Sequence, residues 1–89
     1  MIHKDCYMDS TLNKIIGETI KKEREKKQLT LEQLANKINK VSRQTLSTYE
    51  TGRSKIKISM FLDICQALGL DPQEMFDEIN MKYFKNAKL

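Results

Sequence analysis

The chain has 89 residues, 39% hydrophobic and 31% charged, with three Gly and one Pro, which suits one small domain with a small core. No run approaches the ~18 apolar residues of a membrane span, and His3, Cys6 and Cys65 are too few for a disulfide framework or a four-ligand zinc site. A single His leaves little acid–base equipment, so the composition points away from an enzyme and implies no cofactor and no metal.

The formal net charge of +4 is strongly segregated. Between residues 36 and 57, Lys37, Lys40, Arg43, Arg53, Lys55 and Lys57 face a single acid, Glu50. Residues 58–80 hold Asp63, Asp71, Glu74, Asp77 and Glu78 and no base. A basic centre beside an acidic segment is the footprint of a polyanion binder, although an uneven solvated surface has the same composition. The opening MIHKDCYMDS lacks the apolar stretch of a signal peptide, so a cytoplasmic location is expected.

In chain order the sequence reads as helices, because no stretch sustains period-two alternation. A first helix is expected from Ser10 or Thr11 to about Lys27, with Leu12, Ile16 and Ile20 as its stripe and Ile15 at the edge. Gly17 inside it marks either close packing or a tolerated defect. Thr30 and Gln33 form a capping box for a second helix whose apolar face is Leu31, Leu34, Ala35 and Ile38, ending near Asn39. Ser42 is the expected N-cap of a third helix, Arg43 to about Thr51, stopped by Gly52.

The basic stretch 53–58 reads as a connector. Ser59 is the candidate cap of a fourth helix with Met60, Phe61, Ile64, Cys65 and Leu68 on one face. Asp71, Pro72 and Glu74 open a fifth, with Met75, Phe76 and Ile79 as its buried stripe and an end near Met81. The expected architecture is all-α, a compact bundle of five short helices, with residues 1–10 as a flexible arm, 11–81 as the domain and 82–89 as a basic tail.

Two helices separated by about four residues, the second opening Ser-Arg-Gln-Thr, are a helix-turn-helix candidate. From about Ile16 to Phe76 the chain resembles the Cro/repressor-type, or XRE, helix-turn-helix regulators. The resemblance rests on Leu34-Ala35, Val41-Ser42-Arg43, Leu46-Ser47, Tyr49-Glu50 with Gly52, and Ala67-Leu68-Gly69-Leu70 before Asp71-Pro72, in that order and spacing. Two positions depart from the family: Asn39 stands where a Gly is usual and is followed by an additional Lys40, and Leu31 replaces a phosphate-anchoring Gln.

The resemblance implies a lambda-repressor-like fold whose third helix enters the major groove of double-stranded DNA. It nominates Arg43, Gln44, Thr45, Ser47 and Thr48 as base contacts. Independently, Arg suits guanine and Gln suits adenine as two-point partners, while Leu46 and Tyr49 fall on the opposite, inward face. Ser42, Lys40, Arg53, Lys55 and Lys57 are the expected phosphate contacts, with Lys40 equally explained by solubility. Arg24 and Glu50 match a family ion pair that fixes the first helix to the third. The expected function is a DNA-binding transcriptional repressor acting as a homodimer, with no membrane partner. An antitoxin that binds its own promoter and a protein partner is the alternative, and an interaction module that has lost DNA contact is the third reading.

Overall fold

Among the described residues the chain forms α1 (Ile2–Lys26), α2 (Leu31–Ile38), α3 (Arg43–Glu50), α4 (Ile58–Leu68) and α5 (Pro72–Ala87), and no strand. This computed structural model describes the backbone of residues 2–87 and the side chains of residues 11–85. The class is all-α, as expected, although α1 at 25 residues is not short.

Local chemistry sets most of the boundaries. Thr30 Oγ1 accepts the Gln33 N–H at 3.1 Å while Gln33 Oε1 accepts the Thr30 N–H at 2.9 Å, so both halves of the capping box at α2 are made. Asn39 closes α2 in the left-handed region at φ 63°, its N–H bonded to the Ala35 carbonyl. Ser42 caps α3 by accepting the Thr45 N–H at 3.1 Å. At α5, Asp71 Oδ1 accepts the Gln73 N–H and Pro72 occupies the first helical position, where its missing N–H goes unneeded.

Three helices end the same way. At the ends of α1, α3 and α4 two successive residues bond back in the paired Schellman pattern: Gln28 to Glu25 and Leu29 to Arg24, Gly52 to Tyr49 and Arg53 to Thr48, Gly69 to Gln66 and Leu70 to Cys65. Gly supplies the left-handed residue in the second and third of these, but in the first it is Gln28 at φ 59°.

The core joins α1 (Ile15, Ile20), α2 (Leu34, Ala35, Ile38), α3 (Leu46), α4 (Phe61, Ile64, Cys65, Leu68) and α5 (Met75, Ile79). Cys65 is fully buried, and that burial pushes its thiol pKa up. Thr19, also fully buried, satisfies its hydroxyl on the Ile15 carbonyl at 2.8 Å. On the outside, Glu78 of α5 pairs with Lys22 of α1 and with Lys82 one turn on, and the Lys22 contact holds its carboxyl below the usual range.

The structure corrects five expectations. α1 starts at Ile2 and runs through the segment read as an arm, because no Pro or Gly interrupts residues 2–16 and a cap-type residue such as Ser10 does not stop a helix already under way. Its buried hydrophobic residues are Ile15 and Ile20, with Leu12 and Ile16 only half-buried, so the stripe is rotated from the expected one. α4 begins at Ile58 with Lys57 at the cap position and no side-chain cap bond, so Ser59 is inside the helix.

Phe76 is 57% exposed, since Met75 and Ile79 take the inward stripe and leave it at the edge. Finally, α5 continues past Met81 to Ala87. Tyr83 packs on the core and Lys82 reaches Glu78 and Thr19, giving the last turns tertiary partners that a charged tail alone would lack.

Candidate nucleic-acid interface

α3 is positioned from behind by three residues of α1 and of its own turn. Gly17 lies so close to the end of α3 that a β-carbon there would sit 2.3 Å from the Tyr49 carbonyl oxygen and 2.5 Å from that of Glu50. The Gly in α1 is therefore required by the helix crossing and is not a tolerated defect.

Two turns further along α1, Arg24 grips Glu50 with two bonds, Nε to Oε2 at 2.7 Å and Nη2 to Oε1 at 3.0 Å. Its remaining nitrogen donates to the Leu29 carbonyl at 2.6 Å, tying in the turn before α2. Both residues are more than nine-tenths buried, and the Glu50 carboxylate holds the guanidinium firmly protonated. At the far side Gly52 takes φ 78°, and a β-carbon there would lie 2.9 Å from the Lys14 backbone. Together these contacts fix the rotation of α3 about its own axis.

With Leu46 and Glu50 turned inward, the residues two positions either side of Leu46 project outward, about 200° round the helix. Gln44 and Thr48 therefore share the centre of the outer face, and Thr51 continues it three residues on. Arg43, Gln44 and Thr45 are exposed, and Ser47 and Thr48 are half-buried. Thr51, exposed on this face, was missed in the sequence; the 44, 48, 51 spacing was the available signal.

Ser42, Thr45 and Thr48 form a chain of hydroxyl contacts along this surface. Ser42 Oγ lies 3.0 Å from Thr45 Oγ1, and Thr48 Oγ1 donates to the Thr45 carbonyl at 2.6 Å.

The basic residues bracket this helix. Arg53, Lys55 and Lys57 are all exposed on the connector that leaves α3. Lys40, in the turn that enters it, lies 3.4 Å from Asp63 of α4, an exposed pairing of the kind worth little. Because Glu50 is buried against Arg24, every exposed ionised side chain between residues 36 and 57 is positive. Asn39, where a Gly is usual, takes the left-handed conformation that Gly would supply, and Val41 packs against the core. Leu31, where a phosphate-anchoring Gln is common, also packs against the core.

A sequence profile described as helix-turn-helix, HTH_3, matches residues 20–75, which spans α2, the turn, α3 and α4. The chain belongs to this XRE-type helix-turn-helix family of DNA-binding transcription regulators. Three solved structures of similar proteins share the fold. The clp gene regulator ClgR from Corynebacterium glutamicum is 27% identical, with 86% of this chain and 81% of that one covered at a TM-score of 0.77.

The restriction-modification controller protein C.Esp1396I, solved as a tetramer in complex with its natural 35 base-pair operator, is 26% identical over 82% of this chain and 95% of its own, at a TM-score of 0.74. The controller C.AhdI from Aeromonas hydrophila, at 23% identity, covers 74% of this chain and 94% of its own with a TM-score of 0.70, and shows the fold alone. No curated protein matches the sequence. No helix among the described residues is long and apolar enough to cross a membrane.

Proposed function

We propose that this helix-turn-helix protein is a sequence-specific repressor that binds double-stranded DNA as a homodimer and reads the major groove with α3. The observation that carries the reading is the polarity of α3. Its inner face is locked by Gly17 and by the Arg24–Glu50 pair, while its outer face presents Arg43, Gln44, Thr45, Ser47 and Thr48 among exposed cations.

In this reading Arg43 and Gln44 make two-point contacts to base edges. Thr45, Ser47 and Thr48 supply single hydrogen bonds. Arg53, Lys55, Lys57 and Lys40 neutralise phosphates, and Ser42 with the first backbone N–H groups of α3 meets the phosphate at its positive end. Repression follows by occlusion of a promoter. The operator complex of C.Esp1396I supports the assignment by likeness.

The homodimer is supported by an apolar surface at the far end of α3. Ile58, 71% exposed, and Phe76 border a hollow floored by Leu12, Ile16, Ile56, Phe61 and Ile79. Exposed apolar clusters of this kind mark interaction sites. Ile56 and Ile58 lie at the end of the short connector that leaves α3, so a second copy docked here would bring two reading helices toward each other, as a two-fold operator demands. Met81 and Phe84, exposed on the later turns of α5, favour a second reading in which an antitoxin of this family also holds a protein partner.

The test is selection of random-sequence duplexes by the purified protein, followed by affinity of the winner across salt. An enriched inverted repeat with half-sites about one helical turn apart and steeply salt-dependent binding is the expected result. Absence of any enriched sequence overturns the reading.

A further inference from the structure

The outer face of α3 carries a second layer of information beyond which residues are present. A hydroxyl can donate one proton and accept at its lone pairs, so its partners within the protein decide what it still offers a ligand. Thr48 Oγ1 gives its proton to the Thr45 carbonyl at 2.6 Å, and a carbonyl can only accept. Turning that proton toward a base would break a short bond, so Thr48 offers the groove lone pairs alone. Thr51 is committed in the same way, to the carbonyls of Ser47 and Thr48 at 3.1 and 3.3 Å.

The beginning of the helix is different. Ser42 Oγ accepts the Thr45 N–H and lies 3.0 Å from Thr45 Oγ1, so one of these two hydroxyls donates to the other and the second keeps its proton for a ligand. Arg43, with donors only, stands beside it. Along α3 the outer face therefore changes from donating to accepting.

In the major groove each base pair shows one exocyclic amino group, on adenine or cytosine, and one keto oxygen, on thymine or guanine. We propose that Thr48 is a specificity-determining residue that accepts from an exocyclic amino group and so selects adenine or cytosine over guanine or thymine on the strand it faces. This rests on the reading that α3 lies in the major groove.

The experiment uses the operator that the wild-type protein itself selects, with all four bases tested at each position against wild type, Thr48→Val and Thr48→Ser. The wild type is expected to prefer adenine or cytosine at one position per half-site by about threefold to tenfold. Thr48→Val, close in shape but without the hydroxyl, flattens that position alone, and Thr48→Ser retains the preference. Replacing the favoured base by its analogue without the amino group, purine for adenine or pyrimidin-2-one for cytosine, costs the wild type the same factor and costs Thr48→Val nothing further.

A selected operator whose profile is unchanged in Thr48→Val, or whose lost position preferred a keto base, overturns the inference and leaves the DNA-reading function standing. Failure of the wild type to select any duplex overturns both. Should Thr48→Val fold poorly, the analogues lacking the amino group decide the matter on the wild type, since a loss no larger there than at an uncontacted adenine or cytosine of the same operator overturns the inference.

Discussion

On the inner face of α3, the Tyr49 and Glu50 carbonyls crowd Gly17 and the Glu50 carboxylate is gripped by Arg24, so neither Gly17 nor Arg24 admits another side chain without a shift of backbone or the loss of a buried charge partner. On the outer face of the same helix, Arg43, Gln44 and Thr45 stand in solvent. One eight-residue helix thus carries a face with a single structural solution and a face open to change. A scaffold can keep its geometry while its reading surface varies, provided that substitutions outside do not reach the joint inside.

Breaking that joint should produce the largest effect. Arg24→Ala leaves the Glu50 carboxylate buried without its partner and is expected to cost about 3–5 kcal/mol in urea unfolding. Replacing both residues with Met should recover most of the loss, since the pair contributes less than either orphan costs. A loss under ~1 kcal/mol for the single variant would mean that the pair does not hold α3 in place.

Gly17→Ala comes next. Ala ordinarily favours a helix over Gly by roughly 0.5–1 kcal/mol. Here the clash with two carbonyl oxygens should reverse the sign and destabilise by about 1–3 kcal/mol. A rise in Tm would show that α1 and α3 can separate freely.

The outer face sharpens the contrast from the other side. Gln44→Ala and Arg43→Ala should each leave stability within about 0.5 kcal/mol of wild type. Each should also remove about 1–3 kcal/mol of discrimination at one base pair of the selected operator. Equal weakening on every sequence would reassign the residue to phosphate.

The smallest change stabilises. Gln28 sits in the left-handed region without being Gly, so Gln28→Gly should raise stability by about 0.5–1 kcal/mol in thermal unfolding, with base preference untouched. A decrease would indicate that the Gln28 side chain makes contacts outweighing its backbone strain.

The parts of this fold that could be read in advance are those decided within a few residues. The Thr30–Gln33 box, Ser42, Asn39 and Asp71-Pro72 each complete their bonds inside one turn of chain, so their identity and spacing carry the whole signal. The missed boundaries depend on something else. α4 starts at Ile58 behind Lys57, which makes no side-chain cap bond, leaving nothing local to read.

The extension of α5 depends on Lys82 meeting Glu78 and Thr19 and on Tyr83 reaching the core, contacts separated by up to 63 positions. Phe76 illustrates the limit of periodicity: one step from Met75, it lies at the border of the stripe, and only the placement of α1 and α4 decides which side it joins. Within the candidate interface the residue types on α3 were legible, but the direction of each hydroxyl proton was not. That depends on which backbone carbonyls the folded helix brings within reach.

Cys65 turns the core into a clock. Its sulfur has no exposed surface in the folded domain, and its raised pKa leaves little thiolate even where a reagent could arrive. Alkylation at that position therefore has to wait for the helices to part. With Cys6 replaced by Ser, the rate of modification by a thiol reagent counts how often this domain opens. Slowing of that rate by added operator would then measure how far DNA holds it shut.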